Sequence, residues 1–170
     1  ANDTQTLEKI TKGFEKAKSK DICLLQNEVN LVAQAAKIAK SRNMKVIYSA
    51  APFDILHVQE VLDYVDIVVV NEIEYNLLLK EYGKIFDKPL LITNGSKGSR
   101  YMFNDTAFHV RSPKVKSVDT TGAGDTYLGY FASSLDQHKS LQEAMELASF
   151  AAALQVTRYG TSEAIPSLSE

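Results

Sequence analysis

The chain has 170 residues, which suits one compact domain with a sizeable core. Its 19 basic and 21 acidic residues give a formal net charge of −2, so charge provides no case for a nucleic acid or an anionic membrane as a partner. The single cysteine, Cys23, excludes an internal disulfide framework and a multi-thiolate zinc site. No apolar run approaches membrane-spanning length and the polar start does not resemble a secretory signal, so a cytoplasmic setting is expected.

Predicted strands and helices alternate along the chain. Apolar residues at helical spacing predict an amphipathic helix over roughly residues 4–18; they are Leu7, Ile10, Phe14 and Ala17. The sequence then predicts a strand at 22–26, a helix at 31–42, a strand at 46–48 and a helix capped by Asp54. A strand at 67–70, a helix from Asn71 to Gly83 and a strand at 89–93 follow. The last predicted elements are a hairpin around 104–105, a helix through Tyr127, and a helix from 141 to about 157 that Gly160 ends. This alternation predicts an α/β fold with a mostly parallel sheet between helix layers.

The segment from Asp119 to Asp125, Asp-Thr-Thr-Gly-Ala-Gly-Asp, carries the sharpest chemical signal. Gly122 and Gly124 let the backbone approach a ligand closely because neither has a Cβ atom. The helix that starts there presents free N–H groups and partial positive charge, and together these features predict a phosphate site. A carboxylate at Asp125 would repel that phosphate unless it faced an acceptor hydroxyl, whose proton it could take.

Three other interpretations of this segment are a structural helix start, a P-loop and a dinucleotide-binding motif. The Gly-Ala-Gly stretch could only pack a helix against a strand, with Asp125 as a first-turn residue that suits the helix dipole. The segment is not a P-loop, because no Gly-Lys-Ser/Thr follows it. It is a poor dinucleotide fingerprint, because Tyr127 stands where the third glycine belongs.

Several segments, in order, resemble one protein family. Asp119–Asp125 resembles the C-terminal signature of the ribokinase-like (PfkB-type) sugar kinases. Val70–Glu74 is similar to the family's Asn-x-x-Glu motif, and Thr93–Gly98 is similar to its nucleotide loop. Leu25–Glu28 and Ala148–Gly160 also resemble segments of ribokinase-type members. The resemblance covers essentially the whole chain and implies a three-layer ribokinase-like fold and ATP-dependent phosphorylation of a sugar hydroxyl, with ribose as the expected sugar.

The resemblance also implies a role for each matching residue. Asp125 would be the general base, and backbone N–H groups of Gly122, Ala123 and Gly124 would bind the migrating phosphoryl group. The residues expected to bind ATP and Mg²⁺ are Asn71, Glu74, Thr93, Gly95, Ser96, Gly98 and Ser149, of which the first two would organise Mg²⁺ through water. Glu28 would reach the sugar. The residues expected to hold a monovalent cation, K⁺, are Asp119, Thr121, Gln155, Arg158 and Gly160.

Structural alternatives stand beside these roles. Asn71 could merely cap its helix, with Glu74 on the same face three residues later. Glu28 and Ser149 are lone residues that a solvated surface role would also explain. Cys23 is expected to be an inert core thiol, and the histidines at 57, 109 and 138 show no ligand spacing and are expected at the surface.

The resemblance leaves two functional alternatives open. The parent protein could be another PfkB-type kinase, acting on fructose, a deoxy-keto acid or a nucleoside. The alternative from a different class is a non-catalytic nucleotide-binding module. Asp125 discriminates against that module, because a binding module has no need of a carboxylate beside a phosphate.

The chain also departs from the family pattern. Ser49–Pro52 occupies a loop that in the family commonly begins with Asn-Pro. Ala164 stands where ribokinase-type chains often carry a hydroxyl that completes the cation shell, so an altered cation site is expected. Residues 1–170 correspond to the nucleotide-binding C-terminal part of such a kinase, without its N-terminal strands, lid and most sugar-binding residues. A strand that is central in the family is therefore expected at a sheet edge. The chain alone is expected to bind nucleotide without phosphorylating ribose, and the parent enzyme is expected to be a homodimer.

Overall fold

The computed structural model describes residues 2–83 and 86–170, and six strands in those ranges form one mostly parallel sheet in the order β1-β2-β3-β4-β5-β6. The strands are β1 (Ile22–Gln26), β2 (Lys45–Ser49), β3 (Ile67–Asn71), β4 (Leu90–Thr93), β5 (Ser99–Phe103) and β6 (Thr106–Val110). The helices are α1 (Leu7–Gly13), α2 (Val32–Ser41), α3 (Ile55–Val61), α4 (Glu72–Tyr82), α5 (Ala123–Asp136) and α6 (Leu141–Gln155). The predicted α/β class is thereby confirmed.

The sheet follows the hydrophobic pattern of its strands. β1, β2 and β3 pair in parallel, with Cys23 opposite Val46 and Tyr48 opposite Val68. β2 and β3 are buried along nearly their whole length, which is what continuous apolar, mostly β-branched runs permit when both faces are covered. β1 and β6 lie at the two ends of the strand order in the described residues. β5 and β6 are joined by the predicted two-residue turn, in which Asn104 has φ +49°.

Side-chain caps fix the starts of α1, α3, α4 and α6. Asp54 Oδ1 accepts the Leu56 N–H at 2.8 Å at the start of α3. At α6, Ser140 Oγ accepts the Glu143 N–H at 3.3 Å while Glu143 Oε2 accepts the Ser140 N–H at 2.8 Å. These reciprocal bonds confirm the predicted capping box. Of the helices in the described ranges, none combines the length and apolarity needed to cross a membrane.

Two helix ends differ from the prediction. α1 is only seven residues long, and none of these residues is buried. The helix is short because the chain continues after Gly13 in tight turns, with bonds such as that from the Ala17 N–H to the Phe14 carbonyl at 3.0 Å. Bonds of this i→i+3 type tighten and end an α-helix. α6 ends at Gln155, and Gly160, which was expected to end it, lies in the following segment with φ +100°.

The chain divides into two compact units. The first unit comprises the described residues up to Ile92 together with Tyr101–Ala107, and its core includes the fully buried Tyr48 and Leu78. The second unit comprises Thr93–Arg100 and Phe108–Glu170. In the second unit α5 packs against α6, and both helices contribute fully buried side chains.

Cys23 is expected to be unreactive in the folded chain. It is 8% exposed on β1, and burial raises its pKa to about 11. Because the thiolate is the nucleophile, only about one thiol in a thousand would be ionised at about pH 8. Iodoacetamide should therefore label the native chain very slowly and label one site per chain in concentrated guanidinium chloride, with mass spectrometry as the readout. Complete labelling of the folded chain within minutes would contradict this expectation.

Candidate functional site

The start of α5 is set by a left-handed residue. Gly122 precedes the helix with φ +77°, a conformation that glycine adopts without the penalty a Cβ atom would bring. No side chain caps α5, so its first N–H groups are not consumed by a cap. Of the three predicted phosphate donors, the Ala123 N–H bonds to the Thr120 carbonyl at 3.2 Å within the turn. A helix N-terminus with this arrangement attracts anions.

The Asp119 carboxylate ties this loop to the segment that follows α6. Its Oδ1 accepts the Thr121 N–H at 2.9 Å, and its Oδ2 accepts the Gly160 N–H at 3.3 Å. Bonds from Thr121, and then from Gly160, lower the pKa of Asp119. The carboxylate therefore stays ionised at neutral pH and acts as a structural acceptor.

The predicted nucleotide loop closes on its own backbone. The Asn94 N–H donates to the Gly98 carbonyl at 2.8 Å, and the Gly98 N–H donates to the Gly95 carbonyl at 2.9 Å. Both glycines have positive φ, +54° at Gly95 and +96° at Gly98. A Cβ atom on Gly98 would overlap the Val110 carbonyl oxygen, whereas one on Gly95 would meet nothing within 4 Å. Gly98 is therefore required for packing, and Gly95 leaves open space beside the loop.

A cleft of about 380 Å³ lies within the second compact unit. Its walls come from the nucleotide loop, the start of α5 and one side of α6. The predicted site residues that line it are Thr93, Gly95, Ser96, Gly98, Ala123, Gly124 and Ser149. Two motifs that are distant in the sequence therefore converge on one cleft.

The cleft also has walls that sequence reasoning missed. They are Ser112, Pro113, Lys114, Val115 and Ser117 from the connection between β6 and α5, and Ala152, Ala153 and Val156 from α6 and its C-cap. The connection showed only the composition of a loop. The small apolar residues of α6 have the pattern of an ordinary helix core, so no local signal distinguished them.

Tyr127 lines the cleft and forms a buried hydrogen bond with Ser99. The residue is 6% exposed, and its hydroxyl donates to Ser99 Oγ at 2.8 Å. Burial raises the pKa of Tyr127 to about 12, against the opposing effect of the Ser99 and Ser149 hydroxyls. Ser149 Oγ has no hydrogen-bond partner in bonding geometry within the described ranges. The Tyr127–Ser99 bond links α5 to the residue that directly follows the nucleotide loop.

Asn71 and Glu74 belong to the first compact unit and are joined in a capping box. Asn71 Oδ1 accepts the N–H of Glu74 at 3.0 Å, and Glu74 Oε2 accepts the N–H of Asn71 at 2.8 Å. The capping bonds of the structural interpretation are therefore present, and they use one of the two Glu74 carboxylate oxygens. Oxygen donors of this kind suit Mg²⁺, which usually keeps several waters. Glu28, also in the first unit, is exposed, and none of these three residues lines the cleft.

The residues expected to hold a monovalent cation bond to the chain itself. Besides the two Asp119 oxygens, the Thr121 carbonyl accepts Gln155 Nε2 at 2.9 Å. The Arg158 N–H donates to the Gln155 carbonyl at 3.0 Å. Ala164 is buried and follows Gly160 by four residues, and its side chain has no oxygen. This donor set does not fit the expected cation shell, because a side-chain N–H donor faces the Thr121 carbonyl and Ala164 supplies no hydroxyl.

The Arg158 side chain is also engaged. Its guanidinium forms an ion pair with the Glu170 carboxylate, and hydrogen bonds from Arg158 and then Ser167 lower the pKa of Glu170 to about 2. In the part of the chain that the structure describes, no three His, Cys, Asp or Glu side chains form a group that could hold a metal ion.

Comparisons with known proteins indicate one family and one fold. Residues 2–168 match the model of the pfkB family carbohydrate kinases. The chain is 36% identical to the ribokinase of Lactococcus lactis, covering 92% of this chain and 54% of that relative. The ribokinase structure from Thermotoga maritima has 33% identity and a TM-score of 0.74, and covers 86% of this chain and 53% of its own. Arabidopsis thaliana ribokinase complexed with ribose and ATP has 30% identity and a TM-score of 0.73, with 85% and 52% covered. The chain thus spans about half the length of these relatives, and the predicted ribokinase-like fold is confirmed.

The two glycines of the nucleotide loop are expected to differ in their tolerance of alanine. Gly98→Ala should lower the free energy of unfolding by about 3 kcal/mol, because its Cβ would overlap rigid backbone. Gly95→Ala, the matched control, should cost only about 1 kcal/mol, because its Cβ has open space and only the positive φ is unfavourable. Urea denaturation followed by circular dichroism measures both. Equal losses for the two variants would contradict this account of the loop.

Proposed function

Because this chain belongs to the pfkB family of carbohydrate kinases, we propose that it supplies the nucleotide site and the catalytic base for ATP-dependent phosphorylation of a sugar hydroxyl, with ribose as the sugar. The observation that carries the proposal is that both the nucleotide loop and the start of α5 line the same cleft. The choice of ATP and ribose is supported by relatives named ribokinases, one of them in complex with ribose and ATP.

The phosphate end of the nucleotide would lie at the N-terminus of α5. There the N–H groups of Gly122 and Gly124 would donate to the transferring phosphoryl group, and the positive end of the helix would favour its charge. Mg²⁺ would neutralise charge on the phosphates, and Asn71 and Glu74 are the residues proposed to orient it through water. Ser149 and the nucleotide loop, which line the same cleft, would contact the adenosine part.

The acceptor end of the reaction would depend on Asp125. This exposed residue is the third of α5 and directly follows Gly124, which lines the cleft. Its carboxylate would take the proton of the sugar hydroxyl while that oxygen bonds to the γ-phosphorus and the bond to the ADP oxygen breaks. A carboxylate beside a phosphate is unfavourable for binding alone, which supports a kinase over a non-catalytic nucleotide-binding module.

Gly124→Val is expected to abolish ATP binding. A branched side chain would fill the space that the anion needs, while the helical backbone of Gly124 and the open space around its Cβ leave folding little affected. Gly129→Val is the matched control, because Gly129 lies on the same helix, is exposed and also has open space around its Cβ. Calorimetry with ATP and MgCl₂ measures both variants of this chain. Equal ATP affinity for wild type, Gly124→Val and Gly129→Val would show that the loop is only structural.

Asp125→Asn is expected to separate binding from turnover. In the complete gene product, with ribose as acceptor, kcat should fall roughly 10²–10⁴-fold while the affinity for ATP changes little, because only the proton acceptor is lost. Asp136→Asn, at the exposed last position of the same helix, should leave kcat unchanged. A kcat close to that of wild type in Asp125→Asn would rule out the assignment of the base.

A further inference from the structure

Gln155 is a polar side chain in an almost fully buried position. It is the last residue of α6 and is 1% exposed. Burying an amide is costly unless its polar atoms are hydrogen-bonded. Its Nε2 donates to the Thr121 carbonyl at 2.9 Å, and its Oε1 has no partner among the described residues. The bond to Thr121 is therefore the contact that holds this amide in place.

The same amide packs against the residue that starts the phosphate loop. A Cβ atom on Gly122 would lie 3.1 Å from Gln155 Nε2, so the amide nitrogen sits close to the Gly122 α-carbon. Gly122 has the left-handed φ and no side-chain cap supports the helix that it precedes. Gln155 therefore bonds to the carbonyl of the peptide group between Thr121 and Gly122, and its amide nitrogen would crowd a side chain at Gly122.

The geometry of a peptide group transmits this contact to the phosphate site. The Thr121 carbonyl and the Gly122 N–H belong to one planar trans peptide and point in opposite directions. Holding the carbonyl toward Gln155 therefore directs the Gly122 N–H away from it. A hydrogen bond accepted by the carbonyl also polarises the N–H and strengthens it as a donor.

A monovalent cation would compete for the same carbonyl. The amide hydrogens of Gln155 already place partial positive charge at Thr121 O. The neighbouring Asp119 oxygens accept N–H groups from Thr121 and Gly160. The loop thus has, inside the protein, the electrostatic partner that a cation would otherwise supply.

We propose that Gln155 is a positioning residue, whose side-chain amide takes the place of the monovalent cation and fixes the Thr121–Gly122 peptide for phosphate binding. This inference rests on the proposed function, because it concerns the same phosphate site. It makes nucleotide binding by this chain independent of K⁺.

Two substitutions of Gln155 distinguish the effect of losing the hydrogen-bond donor from the effect of losing side-chain volume. Gln155→Met keeps a similar size and removes the donor, so the Thr121 carbonyl loses its bond. Gln155→Ala removes the donor and also opens space beside that carbonyl, where K⁺ can enter. Gln142→Met is the matched control, because Gln142 is exposed in the first turn of the same helix.

Two readouts on this 170-residue chain test the inference. They are the affinity for ATP with MgCl₂ by calorimetry and Tm without nucleotide, each in KCl and in tetramethylammonium chloride at equal ionic strength. Wild type and Gln142→Met should give the same values in both salts. Gln155→Met should bind ATP about five- to tenfold more weakly in both salts, the effect of one lost hydrogen bond. Gln155→Ala should bind weakly in tetramethylammonium and recover affinity and Tm in KCl.

Each contrary result has a definite meaning. A wild-type Tm or ATP affinity that rises in KCl relative to tetramethylammonium overturns the inference, and so does a Gln155→Met variant that binds ATP as tightly as wild type. If wild type binds no ATP, the proposed function fails, while the Tm values in the two salts still decide the cation question. If Gln155→Ala does not fold, the wild-type and Gln155→Met results decide.

Discussion

The left-handed conformation of Gly122 is the constraint on which the second compact unit depends, because α5 begins directly after that turn. Two side chains from outside the turn hold the preceding residue from opposite directions. Asp119 accepts the Thr121 N–H, and Gln155 donates to the Thr121 carbonyl. The first turn of α5 is therefore placed by an ionised carboxylate and by the end of α6, rather than by a cap of its own. Gly124 and Asp125 take their positions from that placement.

Elements with strong local signals could be predicted from the sequence. β3 is a continuous β-branched run, and the caps at Asn71 and Ser140 each need only a partner three residues later. The α1 prediction extended too far, because Phe14 and Ala17 keep the helical spacing of apolar residues although the backbone there has already changed to tight turns. Spacing reports which residues face a core, and it does not report where the backbone bonds change from i→i+4 to i→i+3.

The candidate site divides in the same way. The glycine loops were predictable because the reason for a glycine is local, either a positive φ or the absence of a Cβ. The Tyr127–Ser99 bond was not, because it joins residues far apart in sequence and neither has a distinctive neighbourhood. Gln155 was expected to contribute an oxygen to a cation that the Thr121 carbonyl also holds, and the structure places its side-chain amide nitrogen against that carbonyl. The sequence can indicate which residues approach each other, but the atom that makes the contact depends on the folded packing.

Gly124 shows how stability and ligand binding can favour different residues at one position. Its backbone is helical and a Cβ atom there would meet nothing, so alanine would fit without strain. Alanine is a better helix former than glycine by up to about 1 kcal/mol in a helix interior. A library of variants ranked by thermal stability or expression yield would therefore enrich alanine at this position. Such a ranking would remove the space in front of the α5 N–H groups while every measure of folding improved.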